Sequence, residues 1–334
     1  MVWRNLPVDL QEEILSRVPA KSMARLRSTS RKWKGLLKSG SFAKKHTANA
    51  PKESLIIMLI DFRVYLVKIN LHGIHNNVIP SVQFYLKDPF SKSSQDNGLL
   101  IWNPCSGETK WIKSSCKQYK VLRLDRQKHV LGITTEYEIY DFTSNSWSVL
   151  GVTTDWCIKP SHRGVSLKGN TYWVALDLIT QEGETYPSFL LSFDFTTERF
   201  QSLSLPQPFP YIFTALSVVR EEQLCLLGYY NKYTSSSDLH VWVTTSTGSV
   251  MSWSNLVTVQ ASHESIYSFN GISFLADEQN KVVVCCKRYS IPNNAVFFVG
   301  ENKHIQVDNH GGDSTHISSC SLLMNYVPSL AQIQ

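Results

Sequence analysis

The side chains capable of chemistry are few, and their spacing argues against most reactions. His304, His310 and His316 lie close to Asp308 and Asp313, a set of residue types able to ligate zinc. Their spacing fits neither compact zinc ligation nor a catalytic triad, and exposed loop residues are the plain reading. His263-Glu264 is an isolated pair, without the second histidine one helical turn away that would aim two imidazoles at one metal. Cys285 and Cys286 close a VVVCC run. Consecutive strand side chains face opposite ways, so one thiol is expected in a core and the other partly exposed. The cysteines number seven and include no CxxC pair, which favours a reduced intracellular chain over a disulfide framework. HExxH, GxGxxG, the P-loop and the serine elbow are all missing from the sequence. The expectation is therefore no catalytic residue, no metal and no cofactor.

What remains is the chemistry of association. In LPVDLQEEILSRV, residues 6–18, Leu10, Ile14 and Val18 recur every four positions with Leu15 beside them, the stripe of an amphipathic helix. Glu12 and Glu13 near its start and Arg17 near its end suit the helix dipole. Pro19 ends the pattern. Ser22 is then placed to cap a second helix carrying Met23 and Leu26, and a third carries Trp33, Leu36 and Leu37 before Gly40, with Phe42 as a further anchor. Three short helices bury little surface on their own, so either a partner or an adjoining domain must cover the excess. Periodicity leaves both open.

Charge sharpens the division. The chain of 334 residues has 33 basic and 27 acidic side chains, but residues 1–50 hold eleven of the basic and three of the acidic ones. Arg25, Arg27, Arg31, Lys32, Lys34, Lys38, Lys44 and Lys45 could meet phosphates, an acidic protein or only solvent. A helix-turn-helix is the natural nucleic-acid rival, and no recognition helix of normal length is visible to support it. The longest early apolar run, Leu55 to Ile60, is far too short to span a membrane, and charges interrupt the first twenty residues too often for a signal peptide. Cytoplasm and/or nucleus is the expected location.

Beyond residue 50 the helical period gives way to short runs rich in β-branched and aromatic residues: LIIMLI, VYLVKI, YEIYDF, TYWVAL, FLLSFDF, QLCLLGY, DLHVWVT, KVVVCC and AVFFVG. Turn residues separate them, as in an antiparallel all-β body. A unit repeats: LLIWNPCSGETKWI at 99–112, YEIYDFTSNSWSVL at 137–150, LLSFDFTTERFQSL at 190–203 and, more loosely, 239–256. Each turns at Asn103, Asp141 or Asp194, or within a Thr/Ser/Gly run, and resumes at an aromatic, namely Trp111, Trp147, Phe200 or Trp253. A four-stranded propeller blade has about this length, and the body has room for about six. A β-sandwich is the rival architecture. The aromatics are expected to be buried between blades. A ligand would meet variable loops, for which 88–98, 153–164, 180–188, 207–211, 231–238 and 305–316 are the candidates.

Leu6-Pro7, Asp9-Leu10, Ile14-Leu15, Val18-Pro19-Ala20-Lys21-Ser22, Arg25-Leu26-Arg27 and Ser30-Arg31-Lys32-Trp33 occur in an order and spacing that strongly resembles the F-box. The resemblance implies a small all-α three-helix domain that docks on the Skp-family adaptor of a cullin-RING ubiquitin ligase. It assigns the adaptor surface to Leu6, Pro7, Leu10, Ile14, Leu15 and Pro19, with Leu26 and Trp33 in support. The body resembles the plant F-box-associated interaction domain of the kelch-like kind, through Ile101-Trp102-Asn103-Pro104, Tyr137 to Phe142 with Ser146-Trp147, Ser166 to Trp173, Ser192 to Phe200, Leu205-Pro206 and Asn325 to Leu330.

The implied fold is an F-box at 1–46, a connection with the first strands at 47–85, and an all-β substrate-recognition domain at 86–330, an irregular or incomplete β-propeller. The implied function is a non-catalytic adaptor that recruits a protein target for ubiquitination. A degenerate scaffold without ligase function and a carbohydrate-binding propeller are the alternatives. Two departures stand out. The family's glycine-led strand before the Trp-Asn-Pro motif is replaced by KDPFSKSSQDNG, and only IKSSCKQ separates Trp111 from Tyr119, where a longer insertion with a further strand is usual.

Overall fold

A computed structural model describes residues 6–50 except 28; 55–86 except 61–62, 72–73 and 75–78; 100–111; 120–129; 132–180 except 142–143, 145, 154 and 160; 186–219 except 212; 223–229; 238–246; 251–260; 272–286; 296–300; 303–307; 322–326; and 330. Among its described residues the head has four helices, not three: α1 (Val8–Ser16), α2 (Ala20–Leu26), α3 (Arg31–Leu37) and α4 (Gly40–Asn49). Gly40 begins the fourth helix instead of ending the third. The preceding Ser39 caps α4, its hydroxyl accepting from the Phe42 amide at 3.4 Å, and Phe42, Ala43 and His46 bury one face. Ser22 lies inside α2, which begins directly after Pro19, where a missing amide hydrogen costs nothing. Ser30 caps α3 by accepting from the Trp33 amide at 3.2 Å.

The body is built from hairpins in chain order. The strands of the first sheet are β1 (Leu55–Ile60), β2 (Arg63–Asn70) and β3 (Ser81–Leu86); a second has β4 (Leu100–Asn103) and β5 (Glu108–Trp111); a third has β6 (Lys120–His129), β7 (Gly132–Asp141) and β8 (Ser146–Thr153). The fourth comprises β9 (Trp156–Ile158), β10 (Val165–Leu167), β11 (Asn170–Asp177), β12 (Ser188–Asp194) and β13 (Arg199–Leu203). The fifth comprises β14 (Phe213–Val219), β15 (Gln223–Tyr229), β16 (Asp238–Ser246) and β17 (Ser252–Gln260). The sixth comprises β18 (Ser273–Asp277), β19 (Val282–Cys286), β20 (Val296–Gly300) and β21 (Lys303–Val307). The last strand, β22 (Leu322–Tyr326), returns to the first sheet and pairs antiparallel with β1, Leu55 opposite Tyr326. Chain end and body start are thus joined in one sheet.

The turns have local causes. Asn103 Oδ1 accepts from the Cys105 amide at 2.9 Å and Asp194 Oδ1 from the Thr196 amide at 2.7 Å, so the repeated Asn or Asp folds the chain back on itself. Those amide hydrogen bonds, the one from Thr196 foremost, hold the Asp194 carboxyl below its ordinary range. Between β10 and β11, Lys168 and Gly169 have φ of 50° and 82°, the left-handed pair of a two-residue hairpin.

Apolar seams join successive sheets. Ile139 of the third packs with Trp173, Ala175, Leu191 and Phe193 of the fourth. Leu190 and Val174 of the fourth pack with Leu224 and Leu226 of the fifth, and Val241 and Leu227 of the fifth with Phe274 and Val283 of the sixth. Val284 and Phe298 of the sixth pack with Met58 and Val67 of the first. Among the described residues no comparable cluster joins the second sheet to the first or the third. Both Cys285 and Cys286 are fully buried, against the expectation that one would be partly exposed. The sixth sheet is covered on both faces, so Cys285 enters the seam with the fifth sheet and Cys286 the seam with the first. Burial also pushes the Cys225 thiol far up, which makes it inert.

The aromatics after the turns diverge from expectation in one place. Phe200 packs into the seam with the third sheet. Trp253 packs towards the fourth sheet and its indole donates to the Ser204 carbonyl at 3.0 Å. Trp147, expected to be buried, is 44% exposed. Phe200 and Trp253 pack towards the preceding sheet, whereas Trp147 has its contacts within its own sheet, with Tyr140 and Arg123. The side chain of Trp111 lies outside the described residues.

Candidate functional site

The first helix has two different sides. On one, Gln11, Leu15 and Ser16 are buried. Gln11 donates to the Leu6 carbonyl at 2.6 Å and accepts from Lys32 Nζ at 2.8 Å, which fixes the entry to α1 against α3. Ser16 Oγ donates to the Glu13 carbonyl at 2.8 Å and accepts from Asn49 at 3.1 Å, which fixes the exit against α4. His46 of α4 lies 2.7 Å from the Val18 carbonyl, and burial lowers its pKa. The inner side is thereby satisfied both in packing and in hydrogen bonds.

The outer side carries unshielded apolar groups. Leu10 is 51% and Ile14 44% exposed, one helical turn apart, and Pro7 is exposed one turn before Leu10. Leu6 is half-buried just ahead of them. Val8, which lies off the period-four stripe, is also exposed on the first turn. Of the remaining residues assigned to this surface by resemblance, Leu15 points into the helical core, and Pro19, Leu26 and Trp33 are half-buried, the latter two packed on that core. The structure therefore gathers Leu6, Pro7, Leu10 and Ile14 on one outer surface and places Leu15 behind it.

Glu13, beside this surface, accepts from Lys45 at 2.9 Å and Arg17 at 2.8 Å, and these hydrogen bonds, Lys45 first, hold its carboxyl low. Exposed Lys21, Arg25, Arg31, Lys34, Lys38 and Lys44 leave the helical head strongly positive.

The head is fastened to the body. Leu330, almost at the end of the chain, is buried among Leu15, Met23, Leu37 and Phe42, and Cys105 from the β4–β5 turn packs alongside. Arg27 pairs with Glu108 at 2.9 Å, and Lys21 Nζ lies 5.6 Å from the Tyr85 ring centre. The sequence offered Leu330 only as the end of a terminal match; its place in the head core has no signature of its own.

For the candidate loops the placement is partial. β9 pairs with β11, which brings 153–164 to the same end of the fourth sheet as the start of 180–188. His162 Nε2 reaches Thr214 Oγ1 at 3.3 Å, which sets the beginning of β14, after 207–211, beside them. The loops 88–98 and 231–237, His263-Glu264 and the cluster from Asp308 to His316 lie outside the described residues. No group of three or more metal-ligating side chains occurs among the described residues.

Two families match. The F-box domain matches residues 3–45, and the F-box associated beta propeller domain matches residues 89–333. An F-box protein of Arabidopsis thaliana is 56% identical, with all of both chains covered. A second from the same plant is 42% identical over 98% of each chain, and an F-box/kelch-repeat protein is 37% identical over all of this chain and 98% of its own. The first alignment spans 373 positions and the chain has 334 residues, so at least 39 positions of that relative have no counterpart here. The solved structure of TolB from Acinetobacter baumannii is similar at 12% identity and a TM-score of 0.35, covering 82% of this chain and 58% of that one, a likeness too slight to bear on the fold. A helical head with an outward apolar surface, carried on a β body that matches along nearly all of its length, places this chain in the family of F-box proteins with an F-box-associated domain.

Proposed function

We propose that the chain is the substrate-recognition subunit of a Skp–cullin–F-box ubiquitin ligase, acting in the cytoplasm or nucleus. Pro7, Leu10 and Ile14, with Leu6 at their edge, enter an apolar groove of the Skp-family adaptor, and the β body presents a protein target. Ubiquitin transfer belongs to other subunits, and this chain contributes proximity instead of a nucleophile. The observation that carries the reading is the exposed Pro7–Leu10–Ile14 surface, set on a helix whose other side is fully satisfied. Pro19, Leu26 and Trp33 support it from the half-buried rim, and Leu15 holds α1 in place from behind. The basic head steers an acidic partner into contact.

The body is read as a six-bladed propeller closed by the β1–β22 pairing, so that its folding unit begins at β1. The departures from the family sequence before Trp102 and after Trp111 favour a second reading, a scaffold that binds the adaptor and no longer delivers a substrate.

The test is co-purification of the full chain with the Skp adaptor. Leu10→Asp or Ile14→Asp is expected to weaken capture at least about a hundredfold, because docking would bury an unpaired carboxylate. Leu15→Asp should instead unfold the head, seen as lost helical circular dichroism. Undiminished capture by a folded Leu10→Asp chain would remove the docking surface from the account. Adaptor capture without any reproducible third protein would favour the scaffold.

A further inference from the structure

The core of the helical head is completed from outside the head. Its own Leu15, Ala20, Met23, Leu37 and Phe42 are buried in one cluster, and Leu330, which follows every described strand of the body in the sequence, is buried among them at 6% exposure. Just before it β22 ends at Tyr326, opposite Leu55 at the start of β1. Since β1 itself follows α4, the first sheet meets the head twice, through the chain on one side and through Leu330 on the other. Ser273 of β18 donates to the Leu323 carbonyl at 3.0 Å and accepts from its amide at 2.9 Å, which anchors β22 to the sixth sheet as well. A second tie lies in the second sheet, where Cys105 packs on the same core and Glu108 pairs with Arg27 at 2.9 Å.

So short a helical unit buries a small share of its surface and is marginal by itself. Losing a buried leucine forfeits its transfer free energy and leaves a cavity. The head is therefore sensitive to whether Leu330 is in place. Leu15 connects this to docking, since it packs in the same cluster and lies on α1 behind the exposed Leu10 and Ile14.

We infer that Leu330 couples adaptor docking to the state of the body: α1 holds its docking form only while β22 is paired with β1, and a docked adaptor tightens that pairing in return. This rests on the adaptor reading of the Pro7–Leu10–Ile14 surface, whereas the link between body and head is measurable with no adaptor present. The head is synthesised first and gains Leu330 only after the strands of the body. A chain whose body is unfinished or open thus offers the adaptor a loosened helix, and binding weakens by the fraction of heads that are competent.

The test is amide hydrogen exchange of the full chain, read separately over α1–α4 and over β1 and β22. Leu330→Asp is expected to speed exchange of the α1 and α4 amides at least about tenfold and to weaken adaptor capture by a similar factor, although the residue lies behind the docking surface. Leu330→Met should stay within about threefold of native. Leu323→Ala, a change in β22, should speed exchange in the head as well as in β22. Excess adaptor should slow β1 and β22 exchange in the native chain but not in Leu10→Asp. Leu330→Ala takes the place of Leu330→Asp if the charged variant unfolds the body. Head amides at native rates in the folded Asp or Ala variant overturn the coupling, as do head amides at native rates in a Leu323→Ala chain whose β22 amides have sped up. A native chain that captures no adaptor overturns the docking half of the inference together with the adaptor reading, while head exchange still decides whether Leu330 links body and head.

Discussion

Phe200 and Trp147 each follow the turn before the last strand of a sheet, in two sheets that lie side by side. Phe200 faces the third sheet and contacts Tyr137 and Trp156 with ring centres 4.7 and 5.3 Å apart, within a seam that also holds Ile139, Leu191 and Phe193. Trp147 stays 44% exposed, touching Tyr140 of its own sheet and the Arg123 guanidinium 4.5 Å from its ring centre. Val149, two residues on and on the same side of β8, is 58% exposed. The local sequence is alike in both places. The difference lies in the cover: an apolar seam between the third and fourth sheets encloses Phe200, and among the described residues no such seam joins the third sheet to the second. A residue type suited to burial is buried only where a seam covers it.

The largest effect should separate these two aromatics directly. Phe200→Ala removes a ring from a packed seam and is expected to cost about 3 kcal/mol, at the low end for a core aromatic because Phe200 is only partly buried. Trp147→Ala should cost less than about 1 kcal/mol, mostly the loss of the Arg123 contact. Urea unfolding of the full chain followed by tryptophan-independent circular dichroism measures both. Similar losses would mean that Trp147 is covered in solution and that the contrast is wrong.

A finer comparison uses smaller groups. In the fifth sheet Gly228 lies under the ring of Tyr211, where an added Cβ would sit 2.6 Å from ring carbons. Gly228→Ala should therefore cost about 1–3 kcal/mol through overpacking. Val149→Ala on the open face should stay within about 0.5 kcal/mol. Thermal midpoints of the two variants, ranked against the native chain, decide it; a Gly228→Ala protein as stable as native would show that the complete sheets have slack.

Much of this fold is written in short-range pattern. All nine apolar runs read as strands are strands, because period-two β-branched runs between turn residues have few other uses. The repeated Asn103 and Asp194 are legible for the same reason, since each accepts from amides two and three residues on. The fourth helix was not legible: Ser, Gly, His, Thr and Asn interrupt KSGSFAKKHTANA, and Phe42 and His46 matter only against Leu15, Met23 and Leu37 of the other helices and the Val18 carbonyl between α1 and α2. Leu15 shows the same limit at the site. Period four puts Leu10 and Ile14 on one line with Leu15 adjacent, but only the packing of Met23, Leu37, Phe42 and the distant Leu330 decides that Leu15 turns inwards. The exposure of Trp147 is likewise invisible in a local pattern that it shares with the seam-packed Phe200. Sequence carries the periods well; it carries poorly which neighbour meets which face.

The smallest expected effect concerns the tie between the third sheet and its complete neighbour. Lys120 Nζ, at the start of β6, donates to Glu198 Oε1 at 2.5 Å and to the Phe195 carbonyl at 3.4 Å, both in the turn before β13. The hydrogen bond with Glu198 raises the Lys120 pKa above its ordinary 10.5. A raised lysine contributes its full stabilisation below the unfolded value and loses it as pH climbs through the folded one. Both side chains are about one-third exposed, so screening keeps the pair within about 0.5 kcal/mol. Glu198→Gln should lower stability by no more than that near neutral pH, by less at high salt, and not at all once pH has risen through the raised lysine pKa. Lys120 keeps its bond to the Phe195 carbonyl in the variant, which limits the loss further. A Glu198→Gln chain that unfolds its third sheet first, with early exchange of β6 and β7 amides, would instead make this one ion pair the main hold of the short sheet on the complete one, and the apolar seam around Ile139 secondary.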